Sequence, residues 1–451
     1  MPAHWDLAVV GIGNMGVSVL GALLAKGRRG LAIDIDRRKV EALANGRSVV
    51  PEAGASDLFA RAVTEGRLQA TTSLARVAEA SCVFIAVQTP AHHDECDYTV
   101  LQRLLRDLAD CAGRGQPLVV GSTVFPGGIR RHLLPELASR PDLPLVYEPV
   151  FLRAGFGIED YIKPGKFLFG IEDPTHPPEQ VNALFGSIVE TDPRYVTWEE
   201  AEWIKMVHNA WMGVKICFAN EIDQLCRAYR ADTRRVLKIA FEENAWGRLM
   251  TLSHMMPGPP YSGPCLPKDA AVLGGLVAEH APPWMQSEGI CQALRRSNER
   301  FVEALVEEWL VRGRESGKPL GIIGTSFRPD FNEMRFSLAL PFIRRAQSEG
   351  LAVIGYDPTF EGLGLEDYLL ACRGDKTLEG LYETIRHPLE TVWSRAGALL
   401  LNRRLSAAEL ARVKGLASPY LVDLYQNELG AAADGNSVHP AVPERSPNRR
   451  A

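Results

Sequence analysis

Short apolar runs alternate with segments of helical periodicity along the first 200 residues of the chain. An apolar run of this length, bounded by polar or glycine-rich turns, is typical of a buried strand. The candidate strands are Leu7–Val10, Gly30–Ile35, Cys82–Val87, Leu118–Gly121, Leu145–Tyr147 and Phe167–Ile171. A helix is predicted between the first two strands, from about Met15 to Lys26. Strands that alternate with helices predict a parallel, doubly wound sheet, and therefore a Rossmann domain over residues 1–198.

The pattern changes after this domain. Residues 199–230 contain no proline and a single glycine, Gly213, and their apolar positions recur at helical spacing, which predicts one long helix. Because helices this long often form subunit interfaces, we expect a homodimer through it. Another helical stretch is predicted over residues 283–311, after a loop rich in proline and glycine at 256–267. Together these segments predict a central, all-helical domain over residues 199–312.

A second section of alternating strands and helices follows. Its candidate strands are Leu320–Gly324, Leu351–Tyr356, Ala396–Asn402 and Tyr420–Leu424, with a helix from about Ser337 to Gly350. They predict a smaller Rossmann-like domain over residues 313–429, so the fold class is α/β with a helical middle. Residues 430–451 are rich in Pro, Ala, Gly, Ser and Arg without periodicity, and they predict a disordered tail.

Composition narrows the classes of function. The chain has 451 residues, 46% hydrophobic and 23% charged, which is ordinary for a globular protein. Its net charge of −5, without a basic block, argues against a nucleic-acid partner. Since no apolar run would span a bilayer and no secretion signal is evident, we expect a cytoplasmic protein without membrane association. The eight cysteines are scattered, and no histidine or cysteine has ligand spacing, so we expect reduced thiols and no metal.

A glycine fingerprint follows the first candidate strand and opens the first helix. In Gly11-Ile-Gly13-Asn14-Met15-Gly16, the glycines permit a tight turn, close approach of a pyrophosphate and close helix–strand packing, respectively. Asp34 ends the second strand, where a carboxylate accepts hydrogen bonds from the adenosine ribose and repels a 2′-phosphate. The sequence therefore predicts NAD rather than NADP. FAD uses the same fingerprint and is the main competitor.

A cysteine loop is the most unusual segment of the chain. Cys265 lies in a stretch rich in glycine and proline, and Lys268 and Asp269 follow where a helix could begin. A nearby cation and a helix N-terminus favour a reactive thiolate, although a buried structural cysteine is an equal alternative on local sequence alone. Lys205 and Asn209 share one face of the long predicted helix with Glu202. These polar groups either line a cleft or are satisfied locally.

Several motifs occur in one order along the chain: Gly11–Gly16 with Asp34, Gln88-Thr89-Pro90, Ser122-Thr-Val-Phe-Pro-Gly127, Glu148-Pro-Val-Phe-Leu-Arg153, Lys205 with Asn209, Cys265-Leu-Pro-Lys-Asp269 and Phe327-Arg-Pro-Asp330. Together they resemble the UDP-glucose/GDP-mannose dehydrogenase family over roughly residues 5–425. The resemblance implies oxidation of the C6 hydroxymethyl of a nucleotide sugar, a UDP-hexose first among them, to a carboxylate. It also implies two hydride transfers to NAD⁺, with a cysteine thiohemiacetal and thioester between them.

The resemblance assigns roles by position. Cys265 would be the nucleophile, Lys205 and Asn209 would stabilise the oxyanion, Asp269 would assist proton transfer, and Thr123 would place the catalytic water. The implied cofactor contacts are Gly11, Gly13, Asn14, Met15, Gly16, Asp34, Thr89, Pro90, Thr123 and Lys268. The implied substrate contacts are Phe151, Leu152, Arg153, Lys205, Asn209, Tyr261, Gly263, Arg328 and Arg335, with Arg328 or Arg335 near the phosphates because an arginine fork binds two oxygens.

The chain departs from the family at positions that bear on hydrolysis. Val150 and Ala154 stand where the family has the two glutamates of Asn-Pro-Glu-Phe-Leu-x-Glu-Gly, which leaves Glu148 as the nearby carboxylate. Gly-Phe-Gly-Gly has become Pro-Tyr-Ser-Gly at residues 260–263, Phe-Lys has become Phe-Arg at 327–328, and an Asp-x-Arg-Asn element near residue 425 lacks its arginine. We therefore expect an altered substrate, an altered end point, or both.

Two other functions remain open. One is a single-step NAD-dependent alcohol dehydrogenase on a related nucleotide sugar or phosphorylated substrate, with Cys265 idle. The other is an NAD-binding sensor or scaffold without catalysis, which ranks lowest because Cys265, Lys205, Asn209 and Asp269 are all present together.

Overall fold

The computed structural model describes residues 5–92, 95–153, 155–241, 258–263, 265–326, 334–360, 364–372, 376–417 and 419–425. The chain forms two compact units, Met1–His208 and Asn209–Ala451. The predicted tail and the predicted phosphate contact Arg328 lie outside the described residues. The division into three domains at residues 198 and 312 stays a prediction.

In the described part of the first unit, eight strands form one sheet, in the order β10-β9-β8-β7-β4-β1-β2-β3. The strands of this unit, together with a two-stranded hairpin (β5 and β6), are β1 (Trp5–Val10), β2 (Gly30–Ile33), β3 (Leu68–Thr71), β4 (Ala80–Ile85), β5 (Ala91–His92), β6 (Glu95–Cys96), β7 (Leu118–Val120), β8 (Leu145–Tyr147), β9 (Leu168–Ile171) and β10 (Arg194–Thr197). Neighbouring strands are parallel, except that β8 and β9 are antiparallel. The predicted doubly wound Rossmann domain is confirmed.

Helices cover this sheet because its central strands are apolar on both faces. The helices that begin in this unit are α1 (Asn14–Ala25), α2 (Arg37–Ala44), α3 (Ala55–Thr64), α4 (Thr99–Cys111), α5 (Gly157–Ile162), α6 (Glu179–Gly186) and α7 (Trp198–Ala228). The core includes Leu7, Val9, Phe84 and Phe169, all fully buried. Continuous apolar runs of this kind are what a parallel sheet with two covered faces requires.

The strand order determines where a ligand can bind. Because β1, β4, β7 and β8 run parallel, the loops that follow them leave the sheet at the same edge. From β1 the chain passes to β2 and β3 on one side, and it then crosses to β4 on the other side of β1, which makes a topological switch point. In open α/β sheets, ligands bind in the crevice that such a reversal opens. The glycine loop and the motif loops after β4, β7 and β8 all lie at this edge.

The long helix that the sequence predicted is confirmed as α7. One side of α7 is packed, with Met206 and Cys217 buried. Large apolar side chains on α7 are nevertheless 45–60% exposed: Trp203, Val207, Trp211, Phe218 and Leu225. Their spacing of four, four, seven and seven residues places them in one stripe along the helix. No helix of the described residues is both long enough and apolar enough for a bilayer crossing.

The second unit contains a parallel four-stranded sheet within its described residues, in the order β12-β11-β13-β14. These strands are β11 (Leu320–Ile323), β12 (Val353–Tyr356), β13 (Ala398–Leu401) and β14 (Tyr420–Asp423). The helices are α8 (Thr233–Ala240), α9 (Leu266–His280), α10 (Pro283–Glu288), α11 (Ile290–Ser316), α12 (Ala339–Ser348), α13 (Leu365–Cys372), α14 (Lys376–Glu379), α15 (Leu389–Arg395) and α16 (Ala407–Val413). The second predicted α/β sheet is thus confirmed.

Two helices, α10 and α11, cover the helical stretch that the sequence predicts over residues 283–311. Gly289 has an extended backbone, with ψ 144°, and separates α10 from α11. An ideal Cβ at Gly289 would lie 2.5 Å from the carbonyl oxygen of Met285, so the chain turns too tightly there for a larger residue. Helical periodicity continues across the break and therefore concealed it.

Candidate active site

The glycine loop after β1 has the geometry that its sequence predicts. Gly11 has φ +98°, and an ideal Cβ there would lie 2.5 Å from the carbonyl oxygen of Ala86. A Cβ at Gly16 would lie 2.0 Å from the carbonyl oxygen of Gly11, because α1 packs tightly on the loop. Around a Cβ at Gly13, by contrast, there is nothing within 4 Å. The open space beside Gly13, at the start of α1, fits a pyrophosphate that approaches the backbone and the helix N-terminus.

Asp34 supports this loop from the end of β2. Its Oδ2 accepts a hydrogen bond from the Ile12 amide at 2.7 Å, and its Oδ1 accepts one from the Asp36 amide at 2.9 Å. Lys39 Nζ lies 3.1 Å from Oδ2. The carboxylate thus fixes the glycine loop, and its remaining lone pairs can accept further hydrogen bonds.

In the second sheet, the loop after the first strand is supported in the same way. Gly324, with φ +88°, follows β11, and the Asp357 Oδ2 after β12 accepts bonds from the amides of Thr325 and Ser326, both at 2.7 Å. A buried carboxylate therefore fixes the loop after the first strand in both sheets. This support of the loop by a carboxylate does not require a fingerprint of three glycines.

The loops after β4 and β7 are tied to each other. Thr89 Oγ1 donates to the carbonyl oxygen of Thr123 at 3.0 Å, and Ser122 Oγ donates to that of Val87 at 2.7 Å. The amide of Phe125 donates to the Tyr98 hydroxyl at 2.9 Å. The predicted contacts Thr89 and Thr123 are thus brought together at the sheet edge.

Glu202 on α7 holds the rest of the β7 loop. Its carboxylate accepts hydrogen bonds from the amides of Gly127 and Ile129, at 2.7 and 2.8 Å, and it is almost fully buried. Burial raises the pKa of Glu202 to about 7. The sequence placed Glu202 on the same helix face as Lys205 without giving it a role. Its position beneath the loop that carries Thr123 is that of a positioning residue.

Lys205 and Phe151 are in direct contact. Lys205 Nζ donates to the carbonyl oxygen of Val150 at 2.8 Å and lies 4.8 Å from the centroid of the Phe151 ring. Two residues that the sequence did not assign join them. Lys166 Nζ lies 4.6 Å from the same centroid and 2.9 Å from His208 Nδ1. His208 meets the Phe151 ring edge-on, with centroids 4.8 Å apart.

Arg153 and Leu152, the other predicted substrate contacts in this segment, have other partners. Arg153 pairs with Asp160, and its guanidinium lies 5.3 Å from the centroid of the Phe156 ring. Leu152 is half-buried against the core of the first unit. Their substrate roles stay predictions.

Glu148 faces the interior of the first unit rather than the open edge of the sheet. Its side chain is 2% exposed, and Oε2 accepts a hydrogen bond from the Tyr161 hydroxyl at 2.9 Å. Burial raises the pKa of Glu148 from its ordinary 4.5 to about 8. A carboxyl group in this position is neutral at pH 7 and bonded to a core tyrosine. It is poorly placed for the hydrolytic role that the sequence left open to it.

Glu148 should instead make stability depend on pH. Because its folded pKa of about 8 exceeds its ordinary value of 4.5, the folded protein binds this proton more tightly. The resulting stability is fully present below pH 4.5 and is lost as the pH rises through about 8. We expect Glu148→Gln to flatten the fall of the melting temperature between about pH 5 and pH 9, with turnover close to that of the wild type. Melting curves with equal pH slopes for both proteins would refute this assignment.

The second unit carries the cysteine. Cys265 is exposed and precedes α9, whose first residues are Leu266, Pro267 and Lys268. Asp269, in the first turn, is 2% exposed, and its Oδ2 accepts a short hydrogen bond from the amide nitrogen of the Asn209 side chain. Its Oδ1 has no hydrogen-bond partner among the described residues, although Lys268 Nζ lies 3.4 Å away. A buried carboxylate oxygen with spare acceptor capacity is suited to receive a proton.

The loop before Cys265 is fixed by buried contacts. The Tyr261 amide donates to Asn298 Oδ1 at 2.9 Å, and the Tyr261 hydroxyl donates to the carbonyl oxygen of Leu294 at 3.4 Å. Gly263 has φ +89°, and its amide donates to the carbonyl oxygen of Phe336 at 3.2 Å. This bond brings the cysteine loop next to Arg335, the neighbour of Phe336 in the chain. The Tyr261 ring itself packs inside the unit, so a ligand would meet this loop through its backbone.

Comparisons with known proteins agree with this geometry. The UDP-glucose/GDP-mannose dehydrogenase family matches the chain over residues 5–189 with its NAD-binding domain and over 199–300 with its central domain. The chain is a member of this family. A UDP-glucose 6-dehydrogenase of Rhizobium meliloti is 29% identical over 436 residues, which cover 93% of this chain and 94% of that protein. A GDP-mannose 6-dehydrogenase of Pseudomonas putida is 28% identical over 367 residues, covering 78% and 80%.

The fold has a counterpart among solved structures. A UDP-glucose dehydrogenase of Pyrobaculum islandicum superposes with a TM-score of 0.77 at 23% identity, covering 94% of this chain and 95% of that one. Membership in the UDP-glucose/GDP-mannose dehydrogenase family makes the protein an NAD-dependent oxidoreductase, as the sequence predicted. NAD is therefore its cofactor.

Gly13→Ala should separate cofactor binding from folding. The φ of −100° at Gly13 suits alanine, and the added methyl meets no protein atom within 4 Å, so we expect an unchanged melting temperature. The methyl would occupy the space through which the pyrophosphate approaches, and the Kd for NAD⁺ should rise at least about tenfold. Isothermal titration calorimetry measures the Kd for NAD⁺. Gly186→Ala, which also points into open space, is the matched control. Equal Kd values for the two variants would contradict this location of the pyrophosphate.

Proposed function

We propose that the protein oxidises the C6 hydroxymethyl of a nucleotide-diphosphate sugar, a UDP-hexose first among them, to a carboxylate through a thioester on Cys265. The observation that supports this most is the exposed Cys265 before α9, one helical turn from a buried Asp269 that bonds Asn209. Relatives named UDP-glucose and GDP-mannose 6-dehydrogenase cover most of the chain. They suggest the substrate class.

The reaction needs a group that holds the intermediate aldehyde. When bound, NAD⁺ accepts the hydride of each oxidation. The Cys265 thiolate adds to the aldehyde carbon, and the resulting thiohemiacetal is oxidised to a thioester. Water then forms a bond to the thioester carbonyl carbon, the C–S bond breaks, and the thiolate is regenerated beside a carboxylate. Covalent capture thus keeps the aldehyde in place between the two oxidations.

The polar residues have distinct tasks in this scheme. The Lys205 ammonium and the Asn209 amide, one turn apart on α7, stabilise negative charge on the C6 oxygen. Asp269 takes protons from the reacting hydroxyl or water through Oδ1, which has no hydrogen-bond partner among the described residues. Glu202 and Thr89 fix the loop from which Thr123 places the attacking water. Arg335 lies beside the cysteine loop and would bind phosphate.

A single-step alcohol dehydrogenase is the second candidate, and one observation favours it. The nearby carboxylate left for hydrolysis, Glu148, faces Tyr161 in the core. An enzyme without a base for hydrolysis could release the aldehyde after one oxidation. The number of NADH formed per sugar separates the two candidates.

The first experiment is a substrate screen. Purified full-length protein is incubated with NAD⁺ and a panel of UDP-, GDP- and dTDP-sugars, and NADH is followed by absorbance. The proposal expects turnover with a nucleotide sugar and a product heavier by the mass of one oxygen less two hydrogens, as for a carboxylic acid. NAD binding without turnover of any sugar would instead support a sensor or scaffold.

We also propose a homodimer through α7. Its exposed stripe contains two tryptophans, a phenylalanine and two aliphatic residues, each at least 45% exposed in the single chain. Such a stripe on one helix fits a second copy of the same helix across a two-fold axis. Sedimentation equilibrium should give twice the mass of one chain. The mass of a single chain would contradict the proposal.

A further inference from the structure

Two buried asparagines, which the proposed reaction does not use, hold the loop before Cys265. Asn298, on α11, is 8% exposed, and Asn220, on α7, is 6% exposed. Asn298 Oδ1 accepts a hydrogen bond from the Tyr261 amide at 2.9 Å, and its Nδ2 donates to the Tyr261 carbonyl oxygen at 3.1 Å. Asn220 Oδ1 accepts one from the Gly258 amide at 3.0 Å. The two helices thus hold the loop at two points.

The contact between Asn298 and Tyr261 needs an amide side chain. A carboxamide has an acceptor and a donor side by side, as the backbone does, so Asn298 satisfies both the N–H and the C=O of Tyr261. Buried backbone groups outside helices and sheets require such partners. An ionised aspartate would keep the acceptor and lose the donor, and leucine, which has the same branching, would lose both. Size and polarity alone therefore do not meet the requirement at residue 298.

The backbone is held on both sides of Cys265. Before the cysteine, the contact with Asn298 is at Tyr261, and the Gly263 amide donates to the carbonyl oxygen of Phe336 at 3.2 Å. After the cysteine, the Asp269 amide donates to the Cys265 carbonyl oxygen at 2.9 Å, at the start of α9. The Cys265 side chain itself is exposed. Contacts of the neighbouring backbone, rather than of the thiol, thus determine where Cys265 lies in its unit.

We propose that Asn298 is a positioning residue for Cys265, which fixes the loop so that the thiolate captures the aldehyde before the aldehyde leaves. This inference rests on the proposed function. In the capture step, the bond between Sγ and C6 forms while the π electrons of the carbonyl group move to its oxygen. The hydride then leaves C6 for a second NAD⁺, and the C=O bond forms again as a thioester. A displacement of about 1 Å slows such a step by about 100-fold.

The surroundings of Asn298 allow the amide to be replaced. A cavity of about 110 Å³ borders both asparagines and is lined by Cys217, Asn220, Glu221, Ser297, Asn298 and Phe301. It gives residue 298 room for a side chain somewhat larger than that of asparagine. Asn298→Leu therefore removes both hydrogen bonds to Tyr261 without forcing α7 and α11 apart.

The test measures how the aldehyde divides between capture and release. Asn298→Leu is given limiting nucleotide sugar and excess NAD⁺, and semicarbazide traps free aldehyde for identification by mass. We expect NADH per sugar to fall from two toward one, with trapped aldehyde making up the difference, because the capture step is about 100-fold slower. The wild type should form two NADH per sugar under the same conditions and release no aldehyde.

Asn298→Asp adds a signature that depends on pH. The ionised carboxylate repels the Tyr261 carbonyl oxygen, whereas the protonated carboxyl donates to that oxygen and restores both bonds. The titratable side chains near this pair, on α7 and α11, include Cys217, Glu221, Arg295 and Glu299. Arg295 and Glu299 pair with each other at 2.7 Å. Burial and the negative charge of Glu221 therefore raise the pKa of the new carboxyl.

NADH per sugar in Asn298→Asp should accordingly rise as the pH falls from about 9 to about 6. In Asn298→Leu it should not rise, because leucine has no proton to gain. If Asn298→Leu does not fold, Asn298→Asp alone is the test, and a number of NADH per sugar that does not change with pH would overturn the inference.

Gln116→Leu is the matched control for a buried amide with a structural role. Gln116 is 5% exposed, and its Nε2 donates to the carbonyl oxygens of Val77 and Ala80, at 2.8 and 2.6 Å. It precedes β7, at the end of the strands away from the glycine loop. Gln116→Leu should lower the melting temperature, as Asn298→Leu does, yet form two NADH per sugar without free aldehyde.

Two results distinguish failure of this inference from failure of the proposed function. An Asn298→Leu enzyme that forms two NADH per sugar and releases no aldehyde would overturn the inference alone. A wild-type enzyme that forms one NADH per sugar would overturn the proposed function, and this inference with it.

Discussion

Cys265→Ala is expected to abolish the carboxylate product and to leave at most one NADH per nucleotide sugar. Without the thiol, the aldehyde has no covalent attachment and the second oxidation loses its thiohemiacetal substrate. We expect carboxylate formation to fall by at least about 1,000-fold, as removal of a covalent nucleophile does in other enzymes. The measurement is NADH formation at limiting sugar, with products identified by mass.

Cys291→Ala is the control for this variant. Cys291 lies on α11 in the same unit and is half-buried, without a role in the proposed site. It should retain the stoichiometry and rate of the wild type. If Cys265→Ala still forms two NADH and a carboxylate, the thioester mechanism is wrong.

Asp269→Asn is expected to lower activity without lowering stability. The substituted side chain can still accept the hydrogen bond from Asn209, and it replaces an oxygen that lacks a hydrogen-bond partner. The free energy of unfolding should change by less than about 1 kcal/mol. Loss of a proton acceptor should lower kcat by about 100- to 10,000-fold. Steady-state kinetics and denaturant unfolding measure the two effects on one preparation.

The matched variant is Asp223→Asn, which removes another buried carboxylate of the same unit. Asp223 pairs with Arg227 at 2.8 Å, so its loss should lower stability and leave kcat near the wild-type value. Asp269→Asn should lower kcat alone, and Asp223→Asn should lower stability alone. This difference distinguishes a reacting carboxylate from a structural one. An Asp269→Asn enzyme with wild-type kcat would exclude Asp269 from proton transfer.

In the first sheet, the strands that the sequence predicted are buried along most of their length. β1 and β4 are apolar at all but one position each because helices cover both sides of the sheet, and an apolar run identifies such strands. β3 and β10, the edge strands of this sheet, escaped prediction because their residues are mostly half-buried or exposed and form no apolar run. Their position comes from pairing with β2 and β9, which a local pattern does not encode.

Some residues of the candidate site could likewise be predicted from the sequence, and others could not. Residues of the glycine loop could be predicted because their roles depend on adjacent backbone. The direction of the Glu148 side chain could not be predicted, since it depends on a contact with Tyr161 on α5. Nor could the meeting of Lys166 and His208 with Phe151, since these three residues come from separate elements of the first unit. Long-range packing decides such contacts.

The stoichiometry of the wild-type reaction tests the central claim most directly. A nucleotide sugar that the screen identifies is supplied in limiting amount with excess NAD⁺, and the total NADH is divided by the sugar consumed. The account predicts two NADH per sugar and a carboxylate product. One NADH per sugar with an aldehyde product would contradict it, and would make the protein a single-step alcohol dehydrogenase on the scaffold of this family.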